Sequence, residues 1–378
     1  MENSRSYDVV VVGGGPGGAA ASKRCAEYGL KTLMIEKRAL PRDKVCTGMI
    51  MGDWSINSIR EEFGEIPESV FVTPPKLSGH QLHVAGAEIQ TLEWPTWIGW
   101  RKDFDFWLVN RARESGVTIK EGARVDHVVS EEGYYHVITQ RQGNTETIRA
   151  RFVIGADGAT SVVRRSIFPD LAVRYSGPVR ECYSGALNLD TNFIHWFFPR
   201  GLPRPRFNVN QKNDVFLIEG AGIRELGAEI IETLLPYGFT SENKPIWKDG
   251  CAIALLHEPL LSGAFQPAKD NILLVGDAAG LILPLTFEGI GSALRSGVLA
   301  AEAILKSTDD KKIAAPAYIQ SIGGIVKAIR HLCSIQDKLK EKKDARALAV
   351  FLLAAYRETL TIQQSLGESQ FPNLPSAL

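Results

Sequence analysis

The chain has no C-x-x-C pair. Its five cysteines, at positions 25, 46, 182, 251 and 333, are scattered. That spacing argues against a zinc ribbon or an iron–sulfur cluster, and the odd count argues against a secreted disulfide framework. An excess of charge of either sign is also missing. Forty-three basic residues balance 43 acidic ones, so no net field points to nucleic acid or an anionic surface as partner. Long apolar runs are absent too. "ALAVFLLAAY" (347–356) is about half the length needed to span a bilayer. The opening "MENSRSYDVVVV" sets acidic and polar residues before a short apolar run, which is not the order of a signal peptide. No internal repeat or low-complexity tract is seen. A cytoplasmic protein is expected, with peripheral association to a membrane surface as the minor alternative.

What is present begins at "YDVVVVGGGPGGAAASKRCAEYGLKTLMIEK" (7–37). Asp8–Val12 is β-branched and apolar, as a buried parallel strand should be. Gly13, Gly15 and Gly18 then supply G-x-G-x-x-G. The first permits a tight turn, the second lets backbone approach a pyrophosphate, and the third lets helix pack on strand. Pro16 opens the helix, whose N-terminal N–H groups face the phosphates. "KTLMIE" is a second strand, and Glu36, followed by Lys37, stands where a ribose hydroxyl needs an acceptor. This motif alone does not separate FAD from NAD.

Two later stretches repeat the arrangement. "ARFVIGADGATSVVRRSI" (150–167) is a strand followed by Gly155-Ala156-Asp157-Gly158. "NILLVGDAAGLILPLTFEGIGSALRSG" (271–297) is a strand followed by Gly276-Asp277-Ala278-Ala279-Gly280. Pro284 starts a turn, and Gly289, Ile290 and Gly291 bring a helix N-terminus to the ligand. Asp157 and Asp277 can accept from ribose or ribityl hydroxyls; both also suit helix caps and turns.

"GGGPGG", "GADGATSVVR" and "GDAAGLILPLTFEGIGSAL" resemble the three flavin fingerprints of the hydroxybenzoate-hydroxylase-like flavoproteins, and 276–297 is similar to the geranylgeranyl reductase branch. "RDKVCTGMI" (42–50) and "WRKDFDFWLVNRARESG" (100–116) match as well. The resemblance implies FAD as cofactor, with Arg101 near the flavin and the stretch around Cys46 passing the isoalloxazine ring. Cys46 is the one weak candidate for a catalytic group. The similarity covers most of 7–305 and fades over the last seventy or so residues.

The fold class expected is α/β: a Rossmann-like FAD-binding domain, a second antiparallel-sheet substrate domain and a C-terminal helical region. The FAD-binding domain is discontinuous, from 1–74, 100–172 and 265–306. The substrate domain takes 75–99 and 173–264, with "CAIALLH" as one of its strands. The helical region is 307–378. Alternation within 116–155 predicts a small antiparallel sheet on the nucleotide half. "DKLKEKKDAR" (337–346) reads as a solvated helix face.

"NFIHWFF" (192–198) is the densest aromatic stretch. As a strand it puts Ile194, Trp196 and Phe198 on one face, and Phe193, His195 and Phe197 on the other. Ile194, His195, Trp196 and Phe198 are the candidate substrate residues. In prenyl reductases this region resembles P-x-x-Y-x-W-x-F-P. Trp196, Phe198 and Pro199 match that pattern, while Thr191 and Ile194 replace its first Pro and its Tyr.

The resemblance implies an FAD-dependent oxidoreductase acting on an apolar or unsaturated substrate by hydride transfer through flavin N5. NAD(P)H or a donor protein would supply electrons, since no separate second Gly-rich nucleotide motif is seen. Two alternatives remain. One is a monooxygenase or halogenase acting on an aromatic compound, although "WIGW" lacks the halogenase W-x-I-P. The other is an electron-transfer flavoprotein with no organic substrate of its own.

Overall fold

The computed structural model describes residues 6–131, 133–199, 206–221, 226–310 and 313–366. The first five residues and 367–378, both covered by the domain expectation, lie outside them.

The apolar strand Ser6–Val12 sits between Thr32–Glu36 and Asn144–Gly155, parallel to both. Val9, Val10 and Val11 are fully buried, as residues covered on both faces must be. Ile272–Leu274 extends the sheet parallel to the end of Asn144–Gly155, and Thr118–Glu121 extends it beyond Thr32–Glu36. The three glycine turns therefore follow neighbouring strands at their carboxyl ends. The chain order reverses there, which is where open α/β sheets bind ligands. The N-terminal half of Asn144–Gly155 also pairs antiparallel with Tyr134–Arg141, which pairs with Arg124–Glu131. That is the small antiparallel sheet expected from 116–155.

The helix Pro16–Glu27 starts at its proline, with Gly15 as N-cap, and ends before Gly29 at φ 77°. It packs against the first turns of the long helix Ile290–Asp310, where Gly17 and Gly297 keep the backbones close: a Cβ on Gly297 would lie 2.3 Å from the Gly17 carbonyl.

The second sheet runs in the order Trp247–Gly250, Pro178–Ser184, Val215–Ala221, Phe207–Lys212, Phe193–Phe198, Phe71–Val84, Gln90–Gly99, Met49–Met51. It is antiparallel except where Phe193–Phe198 runs parallel to Phe71–Val84. Met49–Met51, within the segment expected on the nucleotide side, pairs with Thr96–Ile98 of this sheet. Ile253–Leu255, from "CAIALLH", instead forms a separate two-stranded ribbon with Arg174–Ser176.

The outer face of this sheet carries Tyr183, Phe197, Phe207, Phe216 and Ile218. It is covered by the amphipathic helix Gly227–Leu234 through Ile230 and Leu234. The inner face meets the nucleotide half and the C-terminal helix Ala345–Ser365. The basic block 337–346 is not one continuous helix face. The helix Gly323–Lys340 stops inside it, and Asp344 caps the next helix by accepting from the Ala347 N–H at 2.8 Å.

Candidate active site

A cleft of about 1360 Å³ lies between the two sheets. Gly13, Gly15, Pro16, Glu36, Lys37, Cys46, Arg101, Asp157, Gly158, Trp196, Gly276, Asp277, Gly289 and Ile290 all line it. Gly18, Pro284, Gly291, Ile194, His195 and Phe198 do not.

The first glycine turn is built for close approach. Gly13 has φ 108°, and a Cβ there would lie 2.4 Å from the Ala156 carbonyl oxygen. A Cβ on Gly18 would sit 1.9 Å from the Gly13 carbonyl oxygen, so Gly18 serves helix packing behind the cleft wall. Gly15 differs. Its nearest neighbour would be the Arg42 guanidinium at 3.9 Å, so its open side is the cleft.

Glu36 closes one end, buried at the end of its strand. Its carboxylate accepts from the Gly14 N–H at 3.0 Å and the Arg38 N–H at 3.1 Å, and Arg42 Nε lies 3.1 Å away. Arg42, not singled out in the sequence, also donates to Asp105 and to the Gly14 carbonyl. Arg101 donates twice to Asp105, at 2.7 and 3.0 Å. Burial disfavours the charge on Arg101, but Asp105 and Cys46 together outweigh it, and the guanidinium is held more firmly protonated than usual.

Asp157 serves as a helix cap. Its Oδ2 accepts from the Val162 and Val163 N–H groups at 2.6 and 3.2 Å, at the start of the helix Val162–Ile167. Its Oδ1 is sealed from solvent without a hydrogen-bond partner. Burial raises its pKa, against the hydrogen bonds that favour the anion. Arg164 ties this turn to the third one, donating to the Ala159 and Ala278 carbonyls at 2.5 and 2.9 Å.

In the third turn Gly276 takes φ 54°. Beyond it, Leu285 and Phe287 have φ 71° and 53°, unusual for bulky residues, in the loop that leads to Ile290–Asp310. Gly289 and Ile290 reach the cleft, but the Gly291 N–H is spent on Glu288 Oε1 at 2.7 Å. Pro284 is buried in the turn behind them.

The opposite wall belongs to the second sheet. Asp249, Arg180, Glu219, Asn208 and Trp196 stand directly across from one another on five adjacent strands and form a single row, every member facing the cleft. Trp100 and Trp247 meet edge-on at 6.3 Å beside this row. Trp196 donates to His80 Nδ1 at 3.1 Å and packs edge-on against Tyr356.

Ile194 and Phe198 share the face of Trp196 but lie one row to either side, each fully buried in the core. His195 turns to the outer face. Its Nδ1 meets His83 Nε2 at 3.0 Å, and its Nε2 lies 2.9 Å from the Asp190 carbonyl. Burial lowers the pKa of both histidines.

Cys46 sits in a strap pinned to the second sheet. Arg180 Nη1 donates to the Cys46 carbonyl at 2.7 Å, and Lys212 Nζ donates to the Thr47 and Gly99 carbonyls at 2.5 and 2.9 Å. Lys212 also lies 4.3 Å over the Trp100 ring. Burial pulls the pKa of its ammonium down to about 7, while the two carbonyls and the ring favour the charged form.

The comparisons agree with this geometry. Residues 6–188 match a family model described as an FAD binding domain. A digeranylgeranylglycerophospholipid reductase of Methanococcus vannielii is 30% identical over 316 residues, covering 81% of this chain and 78% of that protein. A geranylgeranyl bacteriochlorophyll reductase-like protein from Thermoplasma acidophilum superposes with a TM-score of 0.70 at 21% identity, over 96% of this chain and 100% of that one. The myxobacterial chondrochloren halogenase CndH superposes with a TM-score of 0.71 at 16% identity, over 99% and 94%, which shows a shared fold alone. With its three glycine turns joined at one cleft and a relative this similar over most of both chains, the protein belongs to the geranylgeranyl reductase family of FAD-dependent oxidoreductases.

Proposed function

We propose that the chain reduces carbon–carbon double bonds in the isoprenoid chains of a lipid. The observation that carries this is the single cleft running from the glycine turns to the tryptophans of the second sheet. The similarity to a reductase of a digeranylgeranyl lipid supports the same substrate class.

The residues fit an elongated dinucleotide. Gly13 makes the tight turn, Gly15 leaves open space, and the helix N-terminus at Pro16 points its N–H groups at a pyrophosphate. Glu36 and Lys37 border the ribose end. The sealed Asp157 Oδ1 and the cleft-facing Asp277 offer acceptors to hydroxyls, with Gly158, Gly276, Gly289 and Ile290 beside them. Arg101, held by Asp105, supplies a fixed positive charge. When bound and reduced, FAD supplies the hydride. The chain orients the substrate against Trp196, Trp100 and Trp247, and the strap at Val45–Gly48 helps keep water out. Electrons enter from NAD(P)H docking transiently or from a donor protein. The chain meets its lipid from the cytoplasmic side; among the described residues no helix is long and apolar enough to cross a membrane.

The test is anaerobic. FAD-loaded protein, reduced with dithionite, is mixed with a digeranylgeranylglycerol phospholipid and the products are weighed by mass spectrometry. Two hydrogens gained per reduced bond are expected. Oxygen consumption tightly coupled to a hydroxylated or halogenated product, with no alkene reduction, would refute the reading.

A further inference from the structure

The row on the second sheet contains a carboxyl group that the fold leaves uncommitted. Asp249, at one end, is ion-paired to Arg180 through bonds of 2.9 and 2.5 Å. Arg180 donates through its third nitrogen, Nη1, to the strap. Glu219, next in the row, lines the cleft, and its Oε2 is sealed from solvent with no hydrogen-bond partner. Asn208 beyond it gives its amide to the Glu219 backbone carbonyl at 3.4 Å and receives one from Asn210. A carboxylate would normally be expected to seize a neighbouring cation here. Instead, both nearby cations have been taken by backbone carbonyls and by Asp249.

We infer that Glu219 is the proton donor of the reaction, its carboxylic acid facing the cleft between Arg180 and Asn208 in the row that ends at Trp196. This rests on the reading that the substrate offers a carbon–carbon double bond. The balance is complete. The π bond breaks, one carbon takes a proton from Glu219, and the other takes a hydride from the reduced cofactor. Two C–H bonds form, the cofactor is oxidised by two electrons, and Glu219 is left as carboxylate to regain a proton from water.

The electrostatics keep this acid loaded. Burial raises the Glu219 pKa to about 7, against the pull of Arg180 and Lys212, and Asp249 adds to the rise. Cys46 and Cys251 are the titratable groups facing this wall from the strap and from the end of Trp247–Gly250. Burial raises the Cys251 pKa, which keeps that thiol neutral beside the wall. Lys212 has two of its three N–H donors tied to carbonyls and does not line the cleft, which makes it a clamp. Trp196 closes the row at one end, and at the other the Trp247 ring lies 5.2 Å from the Arg180 guanidinium, a second contact that holds this cation away from Glu219.

The experiment pairs kinetics with spectroscopy on the FAD-loaded protein. Glu219→Gln keeps the shape of the side chain. With digeranylgeranylglycerol phospholipid as the probe, it should slow reoxidation of the reduced flavin by roughly 10²–10⁴-fold. FAD affinity and reduction by dithionite should be unchanged, and Glu219→Asp should restore part of the rate. The wild-type rate should fall as pH rises through about 7, because only the protonated acid donates. In infrared difference spectra taken from about pH 5 to about pH 9, the wild type should lose one protonated-carboxyl band near neutrality that Glu219→Gln lacks. Reoxidation of Glu219→Gln at the wild-type rate overturns the proposal and leaves the substrate reading standing. A Glu219 carboxyl already ionised at about pH 5 overturns it regardless of substrate. Failure of the wild type itself to reduce the lipid overturns the substrate reading, and the proposal with it.

Discussion

Gly15 and Gly18 belong to the same motif, yet the structure separates what each does, and two alanine substitutions read the difference. In Gly15→Ala the new methyl meets no protein atom closer than 3.9 Å, and the backbone, at φ −86° and ψ −177°, suits any residue. Folding stability of the FAD-free protein should change by less than about 1 kcal/mol, the scale of an N-cap change. The methyl does point into the cleft where a pyrophosphate would lie. Crowding of this kind costs about 1–3 kcal/mol, which is roughly a 5- to 150-fold loss of FAD affinity. In Gly18→Ala the methyl would meet the Gly13 carbonyl oxygen at 1.9 Å, a backbone atom that cannot swing aside. The helix must retreat from the turn, so about 1–3 kcal/mol of stability should be lost even without FAD. Thermal melts of the FAD-free variants and FAD titrations by fluorescence quenching separate the two. A Gly15→Ala protein that binds FAD as tightly as the wild type would refute the path assigned to the cofactor.

Asp105→Asn should cost about 3–5 kcal/mol in a denaturant melt, because it leaves the buried Arg101 guanidinium without its counter-ion and removes one of the two carboxylates that hold Arg42. Trp196→Ala should lower stability by about 3–5 kcal/mol, since the ring is core as well as cleft wall. Trp196→Phe should cost only the bond to His80, about 1–3 kcal/mol, with FAD affinity preserved in titration. Lys212→Met should be close to neutral in a melt, because relief of a buried charge offsets two lost hydrogen bonds. It should nonetheless free the strap, so that trypsin cleaves after Lys44 faster than in the wild type; an unchanged digest would show that Arg180 holds the strap alone.

The nucleotide half was legible because its signals are local. Each glycine turn follows a strand within a few residues, so the spacing of Gly13 to Gly18, of Gly155 to Gly158 and of Gly276 to Asp277 carries its own geometry. The helix Pro16–Glu27 starts at its proline for a reason visible in one dimension. The limits are equally local. Gly291 was expected to present its N–H to the ligand, but Glu288, three residues earlier, takes that bond. Asp157 was read as a ligand acceptor or as a cap, and one oxygen serves the cap while the other stays free.

The cleft wall on the second sheet was not legible, and the reason is register. Trp196 was found by its aromatic neighbours, but Arg180, Asn208, Glu219 and Asp249 reach it across strands from distant parts of the chain. No motif spans them, because the pairing is decided by tertiary packing. A partial signal was present. In "FNVNQK", Asn208, Asn210 and Lys212 alternate with apolar or less buried positions, which for a strand means one polar buried face. Buried polar side chains on one face of a sheet call for partners or a ligand. That same register changes what the replacement of Tyr by Ile194 implies. Ile194 pairs across from His80 and is fully buried, one row away from the cleft. A tyrosine there would have to place its hydroxyl among core side chains before it could reach a substrate. The chain's departure from the prenyl-reductase pattern at this position is therefore a change in how the sheet packs, while the row from Asp249 to Trp196 is the part of this sheet that faces the cleft.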